Sequence, residues 1–331
     1  MKTLLIFRRY ALYLLLLLFL AAILLYPSQA RNGAASGLLL WFNVLLPTLL
    51  PFMILADLIR RLHIIDSVCK KIAARTGQNL YFLYPLMLGL LSGLPLGAKL
   101  VAEAVKEGKL SKRFGQFLLT VCNNCSMIFL IGYVAEQQLQ QPELSVFFLL
   151  LIPLTSLLSA FLCHMLFSSF VRLQSDNLVQ ATVFLQNASP SAPSIRSSSG
   201  NLVRATDVHR QSFIASVSNS IMDSFAVLTQ VGGFVILFSV LAEFLLLIDS
   251  PFTLPLVASL EITTGIRAVC ASTLSQYTKI ILSAAAVSFT GLSGIAQTAC
   301  VLSETGLSVW QYITSRILSA ILLVILFRIL L

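Results

Sequence analysis

Asn123 and Asn124 stand side by side inside a run, residues 116–135, that is largely apolar. A buried amide is costly unless every donor and acceptor finds a partner. Paired amides in such a run therefore either contact a solute or bond neighbouring helices together. Glu261 occupies a second apolar stretch, followed by Thr263, Thr264 and Gly265. A carboxylate there either couples a cation or proton to function, or pairs structurally with Arg267. Two clusters of small and helix-breaking residues complete the set: Ser92, Gly93, Pro95 and Gly97, then Ser293 and Gly294 with Gln297 one turn on. Where a helix breaks in a low dielectric, its freed N–H groups attract anions and its freed carbonyls attract cations. Gln297 adds both a donor and an acceptor. These groups suit binding and release of a solute.

They do not suit bond-breaking. The sequence has no GxSxG, no HExxH and no glycine-rich loop ending in Lys-Ser/Thr. It has no paired carboxylates and no nucleophile beside a base. Enzyme activity, a cofactor and a metal are accordingly not expected. Cys122 and Cys125 form a CxxC with no second pair and no histidine nearby, so they read as small buried hydrophobes.

The elements that position these groups must lie in lipid. Of 331 residues, 57% are hydrophobic and only 11% charged, and the mean hydropathy is +0.91. A soluble domain carries about 25% charged residues. About 20 apolar residues span a bilayer core as a helix. The runs are continuous rather than alternating, which favours helices over a barrel. Spans are expected at 10–26, 37–59, 116–135, 144–171, 213–248 and 309–331. Ser28-Gln29-Ala30 resembles a leader-cleavage site, but the run before it is long for a leader and reads as a first helix. Pro47 and Pro51 should bend the second span. Residues 172–211 read as a polar linker, with Pro190, Pro193 and a Ser-Ser-Ser-Gly stretch ending at Gly200.

Basic residues flank residues 80–98 on both sides: Arg60, Arg61, Lys70, Lys71 and Arg75 before, and Lys99, Lys106, Lys109, Lys112 and Arg113 after. Basic loops stay cytoplasmic. The segment should thus dip in and return, breaking at its Gly/Pro cluster. The same reasoning puts 136–143 outside, the 172–211 linker inside, all of 249–308 outside and Arg328 inside. A second hairpin is expected at 280–300, with Ser293, Gly294 and Gln297 at its tip. Phe52 through Leu55 matches Phe234 through Leu237, Ser92-Gly93 matches Ser293-Gly294, and Leu110-Ser111 matches Leu307-Ser308. The expected fold is thus an all-α polytopic membrane protein with about six full spans plus two broken or re-entrant hairpins in an inverted repeat. Its parts are a membrane anchor helix and outer loop (1–35), a first repeat with an extra span (36–171), the linker (172–211) and a second repeat (212–331).

The stretches GLLLWFNVLLPTLLPF (37–52), LLSGLPLGAKL (90–100), TVCNNCSMIFLIG (120–132), LEITTG (260–265) and FTGLSGIAQ (289–297) carry a resemblance. In this order they resemble the YlbJ-type sporulation integral membrane proteins of the nucleoside-recognition gate superfamily. The likeness runs from about residue 36 to the C-terminus, without the linker. Met127 departs from it, where a proline is expected. The resemblance implies a multi-pass protein of a bacterial cytoplasmic membrane, mother-cell or forespore, with a part in spore formation. It implies movement of a small anionic or nucleoside-like solute, dipicolinic acid being the named candidate. The alternative is a membrane scaffold or assembly factor without transport. The expected partners are the bilayer and the solute. Positive-inside loops account for the net charge of +9, so no nucleic acid is invoked. Lys99 is read as reaching the interface, and Asp57 as pairing with Arg60 three residues on.

Overall fold

The computed structural model describes residues 2–76, 80–182 and 205–330. These residues form helices, joined by short turns. Five helical stretches are long and apolar enough to cross a bilayer: Pro27–Arg61, Leu144–Phe167, Phe213–Leu245, Gln276–Leu302 and Val309–Leu330. The chain is a polytopic helical membrane protein.

Helix α1 (Lys2–Leu25) leads into α2 (Pro27–Leu40), which continues through a π-helical turn (Trp41–Leu45) into α3 (Leu46–Arg61). The wide turn lies just ahead of Pro47, which has no N–H for a helical bond. Trp41 uses the local bulge to donate from its indole to Leu228 O at 2.7 Å. Gly33 and Gly37 share one helix face. A Cβ on either would fall 2.7 or 2.8 Å from a backbone Cα of Val240 or Ile236. The pair lets α2 lie directly against α9 (Ala205–Leu245). Helix α4 (Ile64–Thr76) is short and exposes Lys70 and Lys71.

Next come two half-length helices, α5 (Leu83–Ser92) and α6 (Leu96–Lys106). At 1.5 Å per residue each is about 15 Å long, half a bilayer core. They fold back on each other at Gly93, whose φ of 76° suits glycine. A Cβ at Gly93 would sit 2.4 Å from Ser126 N. Helix α7 (Lys112–Cys122) stops at Asn123 and resumes as a π-helical segment, Phe129–Gln138. Helix α8 (Leu144–Thr182) follows, then α9. A second pair of half-length helices is α10 (Thr253–Leu260) and α11 (Ile262–Ala271), folded back at Glu261. Gly265 permits this, since a Cβ there would lie 2.2 Å from Ala258 Cα. Helix α12 (Gln276–Phe289) breaks at Thr290 and Gly291, with φ of 69° and 65°, and continues as α13 (Gly291–Leu302). Helix α14 (Val309–Leu330) ends the described chain.

One order thus occurs twice: long helix, folded-back pair, broken helix, long helix. The second hairpin lies at Thr253–Ala271, not at 280–300 as the sequence suggested. That stretch holds Glu261, Thr263, Thr264 and Gly265. Ser293 therefore corresponds to the break in α7 rather than to Ser92.

Side-chain contacts fix which ends lie together. Lys106 Nζ is 3.5 Å from Glu304. Gln116 Nε2 donates to Ser308 O at 3.0 Å, and Ser308 N donates back to Gln116 Oε1 at 2.7 Å. At the opposite end Gln276 Nε2 donates to Leu139 O, and Phe327 packs on Phe147 and Phe148. Glu304 thus shares an end with Lys106, and Arg328 lies near the opposite end, reversing both expectations. The charge reading had pooled two loops separated by the α12–α13 crossing. The expected linker at 172–211 is helical as far as Thr182 and again from Ala205, and residues 183–204 lie outside the described residues.

Single cysteines replacing Lys109 and Glu304 should react with an impermeant thiol reagent from the same side of the membrane, and one replacing Glu143 from the other. Gly265→Val should lower the melting temperature in detergent, because overpacking costs about 1–3 kcal/mol or more.

Candidate functional site

The four interruptions meet at mid-depth around a cavity of about 480 Å³. The first hairpin tip contributes Ser92 and Leu94, and the second Glu261, Ile262 and Thr263. The break after α7 contributes Cys125 and Ser126, and the α12–α13 break Thr290, Ser293, Gly294 and Gln297. Asn43 and Thr48 line it from the α2–α3 helix. Tyr133, Glu136 and Gln137 line its side along the π-helical segment, and Glu136 and Gln137 are exposed, so the mouth lies at that end.

Of the residues singled out by sequence, Ser92, Glu261, Thr263, Ser293, Gly294 and Gln297 face the cavity. Gly93, Pro95, Gly97, Asn123 and Asn124 do not line it. Gly93 and Gly97 let the first hairpin touch the α7 break. A Cβ on Gly97 would sit 2.6 Å from Cys122 O, and Leu94 N donates to Asn124 O at 2.7 Å. Pro95 packs beside Val227, Val231 and Val301.

The two asparagines hold the break itself. Asn123 Oδ1 accepts from Ala98 N at 3.1 Å, which caps the start of α6. Its Nδ2 donates to Thr298 Oγ1 and Tyr312 OH, both at 2.9 Å, while Tyr312 OH donates to Asn123 O. Asn123 thus ties hairpin, broken helix and final helix together. Asn124 Nδ2 donates to Val121 O at 2.7 Å, taking a carbonyl that the broken helix frees.

Arg316 occupies the same junction and is fully buried. Its Nη1 donates to Asn124 Oδ1 and its Nη2 to Thr120 O at 2.7 Å and Ser156 Oγ at 3.2 Å. No carboxylate pairs with it among the described residues. Its compensation is the C-terminal end of α7, whose freed carbonyls carry partial negative charge, together with the Tyr312 ring at 5.5 Å. Sequence reading passed over this residue. The available signal was a lone arginine inside the apolar run 309–331.

Glu261 is 3% exposed and caps α11, its Oε2 accepting from Thr264 N at 2.7 Å. Of the two readings of Glu261, the structural pair with Arg267 is not formed: Arg267 pairs with Glu243 at 3.7 Å. Glu261 therefore faces the cavity without a basic partner. Among the described residues, no Lys, Arg or His lines the cavity. Helix α13 begins at the wall without a side-chain cap. Cys122 and Cys125 are free and buried. No group of three His, Cys, Asp or Glu suited to a metal occurs among the described residues.

This is an integral membrane protein with a cavity, lined by polar and apolar side chains, between two helical hairpins and two broken helices. The chain is similar to the sporulation integral membrane protein YlbJ of Bacillus subtilis (strain 168), with 26% identity over 327 residues, covering 91% of this chain and 77% of that protein. No family model and no solved structure matches it.

Replacing Arg316 by Met, or Asn124 by Leu, should each destabilise the protein by about 3 kcal/mol, because each strands a buried polar partner. The double variant should lose less than the sum of the two. Thermal unfolding of the purified protein in detergent reads both outcomes.

Proposed function

We propose that this protein carries a small polar solute across a bacterial cytoplasmic membrane during spore formation. One observation supports this most: a mid-depth cavity between opposed hairpins, open toward one end and covered at the other. Half-length hairpins and broken helices put backbone polar groups at the bilayer centre, where continuous helices would hide them. A structural scaffold has no need of such an arrangement. The part in spore formation rests on the similarity to YlbJ.

The basic end, with Arg60, Arg61, Lys70, Lys71, Lys106, Lys109, Lys112 and Arg113, is cytoplasmic in this reading. The cavity then opens outward. Helices α1, α2–α3, α8, α9 and α14, together with the broken helices α7 and α12–α13, cross the bilayer. The hairpins enter from opposite faces, the first from the cytoplasm.

The lining also selects a class of solute. Glu261 and Glu136 are its charged groups, so neutral hydroxylated or cationic solutes are favoured over anions. A dianion such as dipicolinate enters this cavity only with its charge offset, by co-bound cations or by the free N-terminal end of α13. Glu261 is the group that would contact a donor on the solute or carry a coupled proton.

Purified protein in proteoliposomes should give saturable flux of at least one solute from a panel of nucleosides, polyols, amines and dipicolinate with and without Ca²⁺. Glu261→Gln should cut that flux at least tenfold, the loss of one charge-assisted contact of about 1.4 kcal/mol or more. Absence of flux across the whole panel would leave the scaffold reading in its place.

A further inference from the structure

Toward the cytoplasm the cavity is covered by the first hairpin, and side chains hold that hairpin down. Arg60, in the last turn of α3, has Nη2 2.6 Å from Asp57 Oδ1 on its own helix. It also reaches across to α6, where its Nε lies 3.1 Å from Glu103 and its Nη1 3.2 Å from Glu107. Asp57, only 3% exposed, takes Arg61 Nε at 2.6 Å as well, and Arg61 continues to Asp223 of α9. From the other arm, Tyr84 OH donates to Ala56 O at 2.6 Å. Both arms of the hairpin are thereby fastened to α3. Lys99, on α6, lies within electrostatic reach of Asp57 and Glu103 and does not line the cavity.

The repeated element order places α9 where α3 stands and α11 where α6 stands, at the opposite end. A counterpart pair occurs there. Glu243, in the last turn of α9, lies 3.7 Å from Arg267 Nη2 on α11. The charges are exchanged: base on the long helix and acid on the hairpin at one end, acid on the long helix and base on the hairpin at the other. The two pairs also differ in tightness. Arg60 touches three carboxylates and is 22% exposed, whereas Arg267 has one distant carboxylate and is 48% exposed. A single exposed pair stabilises little. Opening the tight cluster takes Arg60 from Glu103 and Glu107 and leaves those two carboxylates without it, while Asp57 keeps Arg60 and Arg61 on its own helix. The end with the tight cluster is the covered end, and the end with the slack pair carries the mouth.

We infer that Arg60 and Arg267 are positioning residues for the two hairpins, each fastening one hairpin to its long helix, and that the two fastenings engage in alternation as the cavity changes sides. The inference rests on the transport reading. It goes beyond it in naming the residues that set which side is open. In the structure the cytoplasmic fastening is closed and the outer one is slack.

A cavity reporter, Ser126→Cys in a background with the native cysteines replaced, tests this without any solute. Impermeant thiol reagents are applied from either side of oriented vesicles. The parent should react from the outer side. Arg60→Gln, or Glu103→Gln with Glu107→Gln, should raise reaction from the cytoplasmic side about tenfold, as expected when one state of a two-state equilibrium loses its differential contacts. Arg267→Gln should not raise cytoplasmic reaction, and exchanging the pair as Glu243→Arg with Arg267→Glu should keep the parental pattern. Elution as a monodisperse species in detergent controls for folding, and the carboxamide variants carry the test should Arg60→Gln fail to fold. Unchanged sidedness in folded Arg60→Gln and carboxamide variants overturns the inference, as does an equal rise on both sides in every variant. Altered sidedness with no flux of any solute would retain the fastenings and reject transport.

Discussion

A polypeptide in hydrocarbon must satisfy every backbone N–H and C=O from within itself, and this chain breaks four helical elements at mid-depth. Each break needs an internal partner. At the α7 break the partners are side chains: Asn124 takes Val121 O, Arg316 takes Thr120 O, and Asn123 caps α6 at Ala98 N. At the first hairpin tip the partner is the other break, through Leu94 N and Asn124 O. At the second tip it is Glu261, which caps its own helix. The breaks are therefore mutually dependent, and the cavity is the space that remains where they meet.

This constraint explains the positions of the small residues. Gly93 and Gly97 lie where hairpin backbone touches the α7 break, and Gly265 where the two arms of the second hairpin touch. Any side chain there would separate groups that satisfy one another. It also explains why a guanidinium with no acid partner is stable at the centre of the bundle. The C-terminal end of a broken helix is a partial negative charge, and burial strengthens that interaction as well as its cost.

Much of this was legible in the sequence. Composition and run length gave the membrane class and the doubled basic flanks gave the first hairpin, whereas the α7 break at Asn123 lies inside a run, 116–135, that reads as one full span. The Asp57–Arg60 pair followed from helical spacing. The second hairpin was misplaced because its arms are only 8 and 10 residues long, too short to stand out as membrane segments. The two glycines of 291–294 gave a louder signal than the lone Glu261. Glycine marks a break but does not tell a turn-back from a continuation. That difference lies in how the arms pack, as between Gly265 and Ala258. Arg316 was missed because its partners, Asn124 Oδ1, Thr120 O and Ser156 Oγ, lie 192, 196 and 160 residues away, which no local spacing reveals.

On the transport reading the solute passes through the mid-depth cavity. Gly132 lines that cavity, and a Cβ built on it meets nothing within 4 Å, so a large side chain there fills the cavity while leaving the bundle intact. Flux through reconstituted Gly132→Trp protein is the most direct measurement. The expected result is a protein that folds and melts like the parent but carries no solute. Parental flux in that variant would show that the solute takes another path.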